Sequence, residues 1–343
     1  MLEREISRAV TRLGLAGRRV LVAVSGGLDS TALLHLLHGH SRRHRLDLSV
    51  GHVNHGLREE ASDADQAAVH ALADSLGLPV RSLRADPRPR RKGGSSRSRP
   101  TLQEAAREAR YQALRALAGE LGAERIATAH TADDQAETVL LRLLRGSGPD
   151  GLGGIPERSP DGVIVRPLLA VSRREIEAFA SKQGLAWRED ASNAKADYSR
   201  NRLRLHWLPG LASEFNPRLL RALGGLAEAQ RRDAEWIEVQ VAREIASRFA
   251  VDGTWLVIEA KDWGELPEAL ARRVVRAALR RSGAGREVSR VHLTRMLAFL
   301  RTGRRGTRIE LPGGRVLSRE RAGFRLGPLE PAPPRGLDGE DAC

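Results

Sequence analysis

Cysteine occurs once in the 343 residues, as Cys343, the last of them. That excludes a disulfide framework, a Cys-x-x-Cys metal or redox site and an internal thiol nucleophile. Lysine is nearly as scarce: it stands only at Lys92, Lys182, Lys195 and Lys261, so 53 of the 57 basic residues are arginine. No apolar run approaches membrane-spanning length, and the acidic start Met1-Leu2-Glu3-Arg4-Glu5 lacks the basic-then-apolar form of a signal peptide. A reducing, cytoplasmic setting without a membrane partner is the expectation.

What is in excess is positive charge. The formal net charge is +14 and the isoelectric point near 11.1, a field that attracts polyanions, nucleic acid first among them. A chain rich in Ala, Arg, Gly and Leu partly reflects codon bias, so distribution is the sharper test. Between Leu266 and Arg308 twelve arginines stand against two acids, Glu268 and Glu287. A solvated helical face usually mixes signs. This one does not, and Arg273, Arg276 and Arg280, at helical spacing, are candidates for the phosphates of a polyanion.

Strand-like runs recur at 19–24, 46–54, 79–84, 124–129 and 162–168, separated by helical patterns after a short amphipathic opening helix. The alternation predicts an α/β fold: a mostly parallel, doubly wound, Rossmann-like sheet with helices on both faces and its ligands beyond the C-terminal strand ends. Ser172-Arg173-Arg174-Glu175 has the form of a capping box opening a helix to about Gly184. Beyond Pro209-Gly210 the texture changes to long Ala- and Arg-rich helical patterns, then short strands near 307–311 and 315–318 joined through Pro312-Gly313-Gly314. The expected organisation is therefore a catalytic domain over 1–210, a mainly helical basic domain over 211–328 ending in a short β-hairpin, and a disordered tail over 329–343. The Pro/Gly/Ser-rich basic stretch 86–100 reads as a surface loop, an insertion or a functional arm or lid.

The segment Ala23-Val24-Ser25-Gly26-Gly27-Leu28-Asp29-Ser30 lies at a strand-to-helix junction. There unpaired amides converge, the helix dipole is positive and glycines admit close backbone approach, so phosphate is the natural guest, an ordinary βα turn the bland alternative. The loop is neither Gly-x-x-x-x-Gly-Lys-Ser/Thr nor Gly-x-Gly-x-x-Gly. Asp29 inside an anion-binding loop makes sense as a cation ligand or as a simple N-cap. In the helix beginning near Thr131, Asp134 and Glu137 share a face suited to an ammonium group, with Leu140, Leu141, Leu143 and Leu144 expected on the buried side. Arg110 falls inside the apolar stripe Leu102, Ala106, Ala109, Ala113, Leu114, Leu117, and a buried arginine needs an anion. Arg107 lies at the stripe's edge within reach of Glu104 and Glu108. Arg200, Arg202 and Arg204 alternate in a run that is a phosphate clamp or a plain basic linker.

Ser25-Gly26-Gly27-Leu28-Asp29-Ser30 resembles the Ser-Gly-Gly-x-Asp-Ser loop of the PP-loop ATP-pyrophosphatases. With His52-Val53-Asn54-His55-Gly56-Leu57-Arg58, His130-Thr131-Ala132-Asp133-Asp134-Gln135-Ala136-Glu137-Thr138 and Tyr198-Ser199-Arg200-Asn201-Arg202-Leu203-Arg204, the chain resembles the tRNA(Ile)-lysidine synthetase family over about residues 20 to 205. The resemblance implies a ligase. ATP, with Mg²⁺, adenylates the 2-carbonyl oxygen of the wobble cytidine in a precursor tRNA(Ile) with a CAU anticodon; L-lysine then displaces AMP. It implies an ATP site of Ala23, Ser25, Gly26, Gly27, Leu28, Asp29, Ser30, His52, Val53, His55 and His130, and a lysine site of Arg110, Asp134 and Glu137. Asp29, Asp134 and Arg202 are the implied catalytic residues and Arg200 and Arg204 the tRNA contacts. Asp29 and Asp133 are the metal candidates, Asp133 with a structural alternative. A homodimer is compatible with this reading. The rivals are a sulfur-transferring relative, which would need a cysteine better placed than Cys343, an amidotransferase, which would need an ammonia source, and a non-catalytic tRNA-binding protein.

Overall fold

The computed structural model describes residues 2–54, 59–85, 102–188, 199–284 and 288–329. The expectations for His55, for the 86–100 segment and for nearly all of the tail lie outside these residues. The chain forms two compact units that divide between Ala234 and Glu235.

The first unit runs α1 (Leu2–Arg12), β1 (Arg19–Ala23), α2 (Leu28–His44), β2 (Asp47–Asn54), α3 (Glu59–Ser75), β3 (Val80–Arg84), α4 (Leu102–Glu120), β4 (Arg125–Ala127), α5 (Ala132–Leu144), α6 (Pro149–Leu152), β5 (Ile164–Val165) and α7 (Arg173–Gln183). Then come α8 (Ser199–Arg202), a π-helical turn (Leu203–Trp207), α9 (Leu208–Glu214) and α10 (Leu219–Arg248), inside which the division falls. The sheet order is β3-β2-β1-β4-β5 with every pairing parallel, as the alternation of strand and helix patterns predicts.

The period-two geometry of β1 explains why helices cover both faces. Val20 and Val22 join one cluster with Ile6 and Val10 of α1, Leu33 and Leu34 of α2, and Ile176 of α7. Leu21 turns the other way, onto Leu114 and Leu117 of α4 with Ile126 and Ile164. Truncating Leu21, wholly buried, to Ala would cost about 2–5 kcal/mol. The capping box of Ser172 and Glu175 opens α7, and Gly184 closes it in the left-handed region at φ 62°.

One expectation is corrected here. The buried face of α5 carries Gln135, Ala136, Glu137 and Val139, whereas Leu143 and Leu144 are 50% and 69% exposed. The cap at Thr131 sets the helix's register, and Gln135 locks it by accepting from the Ile155 amide at 2.6 Å and donating to the Ile155 carbonyl at 3.1 Å. The last turn then runs past the packed surface. The two compact units divide inside α10. Arg231 of α10 donates to the Gly153 and Ile155 carbonyls at 2.7 and 3.2 Å, tying the start of that helix to the first unit.

In the second unit β6 (Phe249–Asp252), β7 (Trp255–Glu259), α11 (Glu268–Arg281), α12 (Arg290–Thr302), β8 (Arg308–Leu311), β9 (Arg315–Arg319) and β10 (Gly323–Pro328) follow one another. The expected hairpin is present as β8 and β9. It is, however, part of a five-stranded antiparallel sheet ordered β6-β7-β10-β9-β8. Val274, Val275 and Leu279 of α11 and Leu293, Met296 and Leu297 of α12 pack with Ile258, Leu317 and Phe324 of the sheet. Because α11 buries that stripe, Arg276 and Arg280 are exposed on its other side and Arg273 is half-buried beside them.

Candidate functional site

The loop after β1 turns through Gly26 at φ +90°, a conformation that a side chain would strain, and enters α2 with Gly27 as N-cap. Its two serines brace it. The Ser30 hydroxyl lies 3.1 Å from that of Ser25, accepts from the Ser25 amide at 3.1 Å and donates to the Gly27 carbonyl at 3.0 Å. The first amides of α2, those of Leu28, Asp29 and Ser30, precede any residue that could accept from them within the helix. They converge with the positive end of the dipole on the mouth of the loop, which suits an anion of several oxygens.

Asp29 stands in that first turn. One of its oxygens lies 3.6 Å from Nη1 of Arg173; the other, Oδ1, is buried with no hydrogen-bond partner. Burial pushes the carboxyl up from 3.8 to about 6, against the pull of Arg173 and with the help of Asp134 nearby. A buried carboxylate oxygen lacking a donor, beside a phosphate-type cradle, fits a hard cation such as Mg²⁺. Asp133 fits less well, since one oxygen already accepts from the Arg173 amide at 2.7 Å. Among the described residues no group of three or more His, Cys, Asp or Glu is arranged for a metal.

Thr131 and Asp134 form a reciprocal capping box, which leaves the other Asp134 oxygen, together with Glu137 one turn on, for further partners. Two arginines meet them. Arg200 reaches Glu137 at 2.6 Å and Asp134 at 3.0 Å, while Arg204 reaches Glu137 at 2.5 Å and Asp134 at 3.3 Å. Glu137 is completely buried. Burial opposes ionisation of Asp134, but Arg200, the Thr131 amide and Arg204 outweigh it and hold the carboxyl below its usual range. Arg202 points elsewhere: positions 200 and 204 share a helical face, whereas 202 lies on the opposite one, exposed and without an ion pair among the described residues.

Behind the acids lies a cationic cluster. Arg110 is half-buried, with its guanidinium 5.6 Å from the Tyr111 ring; burial lowers its pKa, and no described carboxylate forms an ion pair with it. Arg166 is 5% exposed, donates to the Pro156 carbonyl at 2.7 Å, and has a buried Nε without a partner. Burial, assisted by Arg166, Arg110 and Arg107, lowers the pKa of His130, which is therefore neutral and bonds through Nδ1 to the Thr128 hydroxyl at 3.1 Å. The structure thus brings Asp29, Asp133, Asp134, Glu137, Arg110, His130, Arg200 and Arg204 into one electrostatic neighbourhood.

His52 lies within β2, 4% exposed and bonded through Nδ1 to the Val24 carbonyl at 2.9 Å. Burial lowers its pKa, so it braces the strand entering the glycine loop as a neutral ring. Ala23 and Val53 end their strands partly buried against the α4 side of the sheet. Arg166, Arg173 and Tyr111 were missed in the sequence. Arg166 had a readable signal, an arginine inside the apolar run Val163–Leu169, the same anomaly that picks out Arg110. Arg173 had none, because the capping box alone accounts for its position.

Residues 1–211 match the PP-loop domain family, and residues 259–322 match the TilS substrate binding domain. The tRNA(Ile)-lysidine synthase of Symbiobacterium thermophilum is 40% identical over 319 residues, which cover 88% of this chain and 64% of that protein. That of Dehalococcoides mccartyi is 34% identical over 322 residues, covering 91% of this chain and 67% of that protein. The chain thus spans about two thirds of the length of these relatives. Among solved structures, the U34-tRNA thiolase NcsA from Methanococcus maripaludis superposes with a TM-score of 0.53 at 17% identity, over 67% of this chain and 78% of that one, a likeness of fold.

Proposed function

Because the chain belongs to the PP-loop family and, within it, to the tRNA(Ile)-lysidine synthase family, we propose that it is an ATP-dependent ligase converting the wobble cytidine of a CAU-anticodon tRNA(Ile) to lysidine. The observation that carries the reading is the juxtaposition of the Ser25–Ser30 anion cradle and Asp29 with the paired acids Asp134 and Glu137. One half suits a triphosphate and the other an ammonium.

In the first step the cytidine 2-carbonyl oxygen bonds to the α-phosphorus of ATP, the α–β phosphoanhydride breaks, and pyrophosphate leaves. The Gly26–Ser30 amides and hydroxyls bind the departing phosphates where charge builds up. Asp29 is the residue to hold Mg²⁺, which neutralises phosphate charge when bound. In the second step the ε-amine of L-lysine bonds to C2 of the base, AMP leaves with the carbonyl oxygen, and the nitrogen gives up its protons. Asp134 and Glu137 bind an ammonium of lysine, while Arg110 and the cationic cluster around it suit its carboxylate. Arg202, exposed, is available to phosphate. The one-signed face of Arg273, Arg276 and Arg280 suits tRNA phosphates.

The test is to incubate the full chain with ATP, Mg²⁺, labelled L-lysine and unmodified CAU tRNA(Ile), digest the RNA, and separate nucleosides. A labelled cytidine derivative with matching AMP and pyrophosphate is expected. Pyrophosphate release without lysine transfer would leave only the nucleotide half standing, and neither product would reject the reading.

A further inference from the structure

The two acids that the reading gives to lysine are already neutralised, by side chains of the chain itself. Arg200 and Arg204 each reach both carboxylates at 2.5 to 3.3 Å, so that two anions are matched by two cations. A lysine ammonium entering with both arginines in place would make three cations share two carboxylates around the fully buried Glu137. An unbalanced charge there is costly. The acids are the fixed partners: Asp134 is pinned by the Thr131 cap and Glu137 is buried on α5. The arginines are the movable ones, with 38% and 27% of their side chains exposed, and Arg204 lies in the π-helical turn, a backbone form that recurs at functional sites.

Arg173 ties the acids to the glycine loop: its guanidinium lies 3.6 Å from Asp29 in the first turn of α2, and its amide donates at 2.7 Å to Asp133, the residue before Asp134. A guanidinium leaving the acids therefore has another class of anion within reach, and its planar fork suits a phosphate as well as a carboxylate. We propose that Arg200 and Arg204 are exchangeable counter-ions that set the binding order: phosphate groups of ATP or tRNA draw them off Asp134 and Glu137, and only then does lysine's ammonium take their place. The device keeps lysine out until there is something to attack. It rests on reading Asp134 and Glu137 as the ammonium site, and the experiment separates the two ideas.

Binding of labelled L-lysine to the full chain is measured by equilibrium dialysis, without additions and with a non-hydrolysable ATP analogue, Mg²⁺ and CAU tRNA(Ile). Loaded wild type should bind lysine at least about tenfold more tightly than unloaded, a coupling of about 1.4 kcal/mol. R200Q and R204Q, without additions, should bind lysine more tightly than unloaded wild type and gain little on loading, whereas R204K, which keeps the cation but loses the fork, should exclude lysine better than R204Q does. E137Q should weaken lysine binding in both states. Should loading leave wild-type affinity unchanged, or should both glutamine variants bind lysine no better than wild type while E137Q binds it worse, the exchange is overturned and the lysine site stands. If E137Q has no effect in either state, the lysine-site reading falls and the exchange with it. An unchanged wild-type affinity overturns the exchange even where a variant folds poorly.

Discussion

Replacing Asp29 with asparagine should stabilise the first unit and stop pyrophosphate release in the same molecule. In the folded chain the carboxyl keeps its proton up to about pH 6, in the unfolded chain only up to its ordinary value of 3.8. Between these values the folded state binds more protons than the unfolded, so stability falls as pH rises through the window; above it the full cost of the buried charge is present. Two pKa units at about 1.36 kcal/mol each set a ceiling near 3 kcal/mol, and partial exposure of the side chain brings the expected figure to about 1–3 kcal/mol. Asparagine keeps the shape and escapes the charge. Calorimetry of the full chain in a chelator at about pH 7.5 should show the transition of the first unit raised by about 2–12 °C, at about 2–4 °C per kcal/mol. The advantage should shrink steadily as pH falls from about 6 to 4. Adding Mg²⁺ with ATP should then stabilise wild type more than the variant. A D29N protein no more stable than wild type at pH 7.5, or equally favoured at pH 4, would refute the argument that this carboxylate is held at a cost for a cation.

Glu137→Gln should raise the apparent KM for lysine by about tenfold or more and that for ATP far less, as removing one carboxylate from an ammonium pair predicts; parallel increases in steady-state assays would point to a structural acid. Neutralising Arg273, Arg276 and Arg280 to glutamine should weaken tRNA binding and lower the slope of log affinity against log salt by about 0.7–0.9 for each phosphate no longer neutralised, with ATP binding unchanged. An unchanged slope in filter binding would mark that face as merely solvated. Ser172→Ala should cost about 1 kcal/mol in urea unfolding through loss of the α7 cap, with no change in KM for either small substrate.

Much of the site was legible in the sequence, and for a physical reason. The Ser25–Ser30 loop, the capping box of Ser172 and the strand alternation all depend on groups within a few residues of one another, so spacing alone exposes them. Arg110 stood out because a charge in an apolar stripe contradicts its own helix. The basic face of α11 was likewise visible, since helical periodicity separates Val274, Val275 and Leu279 from Arg276 and Arg280.

Other features belong to the tertiary structure. Arg200 and Arg204 read as one more pair in a basic run, and only the packing of α8 and the π-helical turn against α5 gives them acids 63 to 70 residues away in the chain. Leu143 and Leu144 satisfy the apolar period of α5 yet lie beyond the surface that Gln135 and Ile155 close. The strands β6, β7 and β10 are each short, and nothing local distinguishes them until distant partners supply the antiparallel ladder. The pKa of Asp29 is likewise a property of its surroundings, because desolvation is set by what packs around a residue rather than by its neighbours in sequence. Sequence determined the pieces whose energetics are local: the anion-binding loop, the helix caps and the stripe each helix can bury. The pairing of charges across the site was decided by the fold alone, since an ion pair depends on distance and dielectric, and neither exists until the chain is packed.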